Sequence, residues 1–204
     1  MTPTSLFLHL ALGILEPTTI SNGRVSAVFN GSSLAALHDD SNGVKVSGDA
    51  WSLRMVVDLQ PPVPLNLSSS TCEAGESSAT QETATFVWHC STAVSPPKRL
   101  PLSYAVSATY NLGDGGGFIA KTLSVRSSLP FSKSEGGVFT ITSVAPFGTE
   151  LVVDAATAKP ATYTQSNPFA ARLQIAQFVR WDAHGAFVSI ANPYAKYGGG
   201  VTRT

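Results

Sequence analysis

Hydrophobic and polar residues alternate with a period of two along much of this chain. Between Trp51 and Asp58, the residues Trp51, Leu53, Met55 and Val57 fall on one side. Successive side chains of an extended strand point to opposite faces, so this pattern predicts a strand with one face in a core. The same alternation aligns Ala84, Phe86, Trp88 and Cys90, and it recurs through 102–110. Further strands are predicted at 118–126, 138–144, 151–154, 173–181 and 186–190. Trp51 and Trp88 read as core residues because their neighbours in phase are apolar.

Turn chemistry punctuates these segments. Asn22-Gly23, Asn30-Gly31, Asn42-Gly43, Gly113-Asp114-Gly115-Gly116-Gly117, Gly136-Gly137 and His184-Gly185 tolerate the positive φ that tight connections demand. Many short strands, short connections and no amphipathic helical stretch predict an all-β, antiparallel β-sandwich with little or no helix. Two stretches break the meander. Residues 60–81 open with Gln60-Pro61-Pro62-Val63-Pro64, are rich in Ser, Thr and Glu, and read as a long exposed loop. Residues 94–101, with Pro96, Pro97 and Pro101, read as a shorter rigid one.

The ends differ in character. Residues 1–18 hold an apolar run without Lys or Arg, read either as a weak signal peptide or as a first strand. That run is too short to span a bilayer. Residues 19–194 form one predicted sandwich domain, and 195–204, with Gly198-Gly199-Gly200, read as a tail or linker.

Composition narrows the partners. Only 13% of the 204 residues are charged, and thirteen basic residues balance thirteen acidic ones. Lys98-Arg99 is the lone basic pair, which cannot neutralise a run of phosphates, so nucleic acid is not an expected partner. The two cysteines, Cys72 and Cys90, are too few for a disulfide scaffold or a zinc site. In an oxidising compartment they would close one loop, worth roughly 3 kcal/mol; two unpaired thiols are the alternative. The sequons Asn30-Gly31-Ser32 and Asn66-Leu67-Ser68 are candidate glycosylation sites and lean the reading toward an extracellular or secretory-pathway location.

Three segments carry a resemblance. The stretch Ile20-Ser21-Asn22-Gly23-Arg24-Val25-Ser26-Ala27-Val28-Phe29, followed by Ser33-Leu34-Ala35-Ala36-Leu37-His38-Asp39, resembles the first hairpin of galactose-mutarotase-like supersandwich domains. Residues 104–125 are similar to the central hairpin of the N-terminal domains of α-galactosidase-like glycoside hydrolases. Phe178-Val179-Arg180-Trp181-Asp182 with 185–194 resembles the closing strand pair. In such enzymes the catalytic carboxylates sit on a separate (β/α)₈ barrel, which needs about 250 residues. The resemblance therefore implies a non-catalytic accessory domain or fragment, beside an adjoining catalytic domain or a carbohydrate. An independent secreted carbohydrate-binding sandwich and a reduced aldose-mutarotase-like enzyme are the alternatives.

The residues themselves name no catalytic set. A mutarotase needs an acid and a base on either side of a sugar ring. His89 lies on the strand face opposite Trp88 and Cys90, His38 and His184 read as turn residues, and Glu73, Glu76 and Glu82 fall in or beside the predicted loop. No metal-ligand spacing and no cofactor motif stand out. Sugar contacts use exposed aromatics and nearby polar groups, and Trp181, Asp182, Tyr194 and Tyr197 are the candidates.

Overall fold

The computed structural model describes residues 17–39, 42–93, 101–113, 117–129 and 136–147, and the backbone of 152–155, 161–163, 176–181 and 184–189. The described residues are all-β, with no helix, and the sheets are antiparallel. The chain divides into two units, residues 1–154 and 155–204.

The first unit packs three sheets together as a β-sandwich. One contains β1 (Thr18–Ser21), β2 (Val25–Asn30), β3 (Ser33–Asp39), β4 (Asn42–Ser47) and β12 (Val152–Ala155), in that order. A second runs β11 (Phe139–Ala145), β5 (Ser52–Val57), β6 (Val63–Ser68). The third runs β10 (Ala120–Ser127), β9 (Pro101–Asn111), β8 (Thr83–Ala93), β7 (Glu73–Ala79).

The long hairpin β8–β9 organises the core. Its register pairs Ala84 with Tyr110, Phe86 with Ala108, Trp88 with Val106 and Cys90 with Tyr104, and all eight are buried. One end of this inner face meets the first sheet, where Phe29 lies 4.8 Å from the Tyr110 ring and 5.2 Å from Phe86. The other end meets the second sheet, through an edge-to-face Trp51–Trp88 pair at 5.4 Å and a Tyr104–Phe139 pair at 5.6 Å. Edge-to-face geometry sets the positive rim of one ring on the negative face of the next. The predicted phase of β5 holds, since Trp51, Leu53, Met55 and Val57 are all buried.

Several expectations need correcting. Residues 60–81 are not one exposed loop. After a cis Gln60–Pro61 bond, β6 pairs along β5 and buries Leu65 and Leu67. Pro64 hides this strand in the sequence, yet among the described residues β6 is an edge, where a proline is tolerated. β7, with sequence EAGESSA, is exposed at every residue and, among the described residues, pairs with β8 only. No hydrophobic period announces such a strand. Asn42-Gly43 and His184-Gly185 are strand residues rather than turns, as are His38 in β3 and His184 in β15. In the first case a glycine is useful opposite a ring: a Cβ on Gly43 would come within 2.6 Å of the His38 imidazole.

Asn22-Gly23 is a turn as expected. Gly23 has φ +84°, and the Asn22 carboxamide oxygen accepts hydrogen bonds from the N–H groups of Arg24 and Val25 at 3.1 and 2.8 Å. Its amide donates to the carbonyls of Leu112 and Gly113, tying the first hairpin to the end of β9.

The second unit, by itself, contains a three-stranded antiparallel sheet of β13 (Ala161–Tyr163), β14 (Ala176–Trp181) and β15 (His184–Ser189). β14 and β15 overlap two of the strands predicted from alternation.

Candidate functional site

Asp49 is the sole buried polar or charged residue among the described core positions. It sits in the short connection from β4 to β5, just after Gly48, whose φ of +77° turns the chain inward. A buried carboxylate is costly unless its oxygens find donors. Here three converge. The Leu34 N–H and the Tyr110 hydroxyl donate to Oδ2 at 2.6 and 2.7 Å, and the Lys121 ammonium donates to Oδ1 at 2.6 Å. The Asp49 side chain is fully covered and that of Lys121 is only 5% exposed.

Lys121 is positioned by β10, where it shares a face with Leu123 and Val125, and by direct pairing with Tyr110 on β9. Its ammonium also lies 3.4 Å from the Ala50 carbonyl, 5.3 Å from the Tyr110 ring centre and 5.0 Å from that of Phe147. Burial lowers the Lys121 pKa, while the charge and hydrogen bond of Asp49 act in the opposite sense. The Tyr110 pKa is raised, first by burial and then by the charge and hydrogen bond of Asp49. These groups face one another rather than solvent, so the cluster joins β3, β9, β10 and the β4–β5 connection and offers no surface to an external substrate.

A groove of about 510 Å³ opens instead over β5, β6 and β11. Its lining includes Ser52, Arg54, Asn66, Ser68, Thr71 and Ser143. Cross-strand pairing brings Arg54 beside both Asn66 and Ser143, so three polar side chains line up across the sheet. Ser68 Oγ lies 3.0 Å from Ser70 Oγ and 2.9 Å from Thr71 Oγ1. On β11, the strand that supplies Ser143, Ile141 and Val144 are 42% and 48% exposed. A guanidinium, an amide and several hydroxyls suit a ligand rich in hydroxyl or carboxylate groups. Among the described residues of the lining there is no carboxylate or imidazole.

The candidates from the sequence fall in separate places. Trp181 ends β14 opposite His184, and Asp182, Tyr194 and Tyr197 lie outside the described residues. Cys72 and Cys90 are joined by a disulfide. Asn30 closes β2 in an exposed position, and Asn66 lies within β6. His89 is exposed on β8, directly across from Glu73, with its imidazole packed over Gly75. The two point from one strand face, side by side, and so do not bracket a ring. Among the described residues there is no cluster of three metal-ligating side chains, and no helix is long and apolar enough to cross a membrane.

Sequence reasoning missed Asp49, Lys121, Tyr110 and Arg54. One signal was present: Lys121 falls in phase with Leu123 and Val125, where alternation calls for an apolar residue. Asp49 lies between strands and has no such phase. Comparison with known protein families, curated proteins and solved structures finds no match for this chain.

Proposed function

We propose that this chain is a non-catalytic β-sandwich module of a carbohydrate-active, glycoside-hydrolase-like protein, and that the groove over β5, β6 and β11 is its sugar contact. The groove is the observation that carries the reading. A saccharide presents many weak hydrogen-bonding groups on an apolar ring, and its recognition calls for polar side chains spread along a shallow surface with apolar contact nearby. Arg54, Asn66, Ser52 and Ser143 provide the first, and Leu53, Leu67 and Ala145 of the same lining the second. The β-sandwich architecture and the supersandwich resemblance of the sequence support the accessory role. As fold does not dictate function, the groove bears the weight of the proposal.

The test is affinity electrophoresis of the full chain through gels carrying galactomannan, xylan, mixed-linkage β-glucan or polygalacturonate. At least one gel should retard it, and Arg54→Ala should weaken the interaction about tenfold, the loss expected of one charged hydrogen-bonding group. Unretarded migration in all four, or retardation indifferent to Arg54→Ala and Asn66→Ala, would overturn the assignment. Acceleration of the mutarotation of fresh α-glucose that disappears in His89→Ala would replace it with an enzymatic one.

A further inference from the structure

We propose that Lys121 and Asp49 condense within the folded chain to form an amide cross-link between β10 and the β4–β5 connection. The inference is independent of the groove and rests on the geometry of the buried cluster. The amine nitrogen and the carboxylate are already in contact at 2.6 Å, with side chains 5% and 0% exposed. Holding two reactants in this way substitutes for a concentration on the order of 10⁵ M or more.

Burial favours the reactive, neutral form of the Lys121 amine, while the charge and hydrogen bond of Asp49 act against it. In water an amine and a carboxylic acid exist as ions and do not condense, whereas a desolvated interior penalises the charge on the amine. Burial accordingly lowers the Lys121 pKa. Transfer of one proton from Nζ to Oδ1, along the hydrogen bond that joins them, gives the neutral amine and the neutral acid.

The remaining contacts match the bond changes. Nζ attacks Cγ, and negative charge develops on Oδ2. That oxygen already accepts the Leu34 N–H and the Tyr110 O–H at 2.6 and 2.7 Å, the pair of donors an oxyanion requires. The nitrogen then gives a second proton to Oδ1, the Cγ–Oδ1 bond breaks, and Oδ1 leaves as water. The carbonyl reforms on Oδ2. One C–N bond is made, one C–O bond is broken, one water is released, and no oxidant or co-reactant enters. The amide keeps an oxygen for Leu34 and Tyr110, so it leaves no new unpaired charge in the core.

Intact-mass measurement on the full chain decides the question, after circular dichroism has shown it folded and after reduction and alkylation of the disulfide. The expected mass is lower than the sequence mass by one water. Tryptic digestion should then fail to cut after Lys121 and should yield a branched peptide joining the segments that hold Asp49 and Lys121. Lys121→Arg keeps a cation beside Asp49 and should give the full mass. Tyr110→Phe should slow the accumulation of the lighter species. A folded wild-type chain that keeps its full mass through prolonged incubation overturns the proposal. So does loss of water that maps to a linear peptide, such as a succinimide at Asp114-Gly115.

Discussion

Tyr110 and Lys121 stand directly opposite each other across the β9–β10 ladder, and their side chains converge on the two oxygens of one carboxylate. Each strand thus contributes one donor to Asp49, which belongs to neither. The arrangement clamps the β4–β5 connection onto the inner face of the third sheet.

The clamp predicts an asymmetry between single and paired substitutions. Asp49→Ala leaves the Lys121 ammonium and the Tyr110 hydroxyl buried without their acceptor, and should cost about 3–5 kcal/mol. Adding Lys121→Met removes the stranded charge, so the double variant should recover part of that loss. Denaturant unfolding of the three proteins checks the order, and a double variant less stable than Asp49→Ala would contradict it.

The tyrosines set the alkaline limit. Burial, first, raises the pKa of both Tyr110 and Tyr104 above the ordinary 10.0, with Asp49 adding to the shift at Tyr110. For a raised folded pKa, the stabilisation is fully present below 10.0 and is lost as pH rises from there toward the folded value, because the unfolded chain gives up its protons first. Stability should therefore fall above about pH 10, less steeply in Tyr110→Phe. In chains where Lys121 and Asp49 have not condensed, Lys121, with its lowered pKa, contributes in the opposite sense as pH rises toward 10.5 and blunts the fall. Ultraviolet titration should show these two phenols ionising only with unfolding.

Gly136 is predicted to resist substitution. Its φ is +85°, and an added Cβ would meet Leu102 Cδ2 at 2.6 Å, while its carbonyl accepts the Tyr104 hydroxyl at 3.0 Å. Gly136→Ala combines backbone strain with a clash in the core, and should cost more than about 1 kcal/mol in thermal or denaturant unfolding.

The disulfide closes the β7–β8 hairpin across 18 positions. Replacing both cysteines by serine should reduce stability by about 3 kcal/mol, the value for a loop of this size. Comparing the oxidised wild type with Cys72→Ser/Cys90→Ser under the same conditions measures it. Equal midpoints would show that the cross-link adds nothing to global stability.

What could be read from the sequence followed burial. β5, β8 and β9 bury one complete face each, so Trp51, Phe86, Trp88, Tyr104 and Tyr110 sit in phase with apolar neighbours and declare themselves. β6 carries the same information in Leu65 and Leu67, masked by prolines that an edge strand tolerates. β7 buries nothing and leaves no periodic trace. The Asp49 cluster is assembled from Leu34, Tyr110 and Lys121, with Lys121 72 positions from Asp49, so only the fold brings its donors together. The groove was hidden for a related reason. Arg54, Asn66 and Ser143 are ordinary outward residues of three strands, and only the pairing of those strands makes them neighbours.

β7 has one more consequence. It borders the third sheet with a register shift between Ala74 and Ser77 and with Glu73 and Glu76 on exposed positions. A bare, flat, apolar border invites a second chain to add its own strand and begin a fibre. The bulge bends the unpaired amides out of line, and the two acidic side chains repel an identical border approaching them. Among the described residues nothing pairs beyond β7, and its bulge and acidic side chains oppose strand addition along this border.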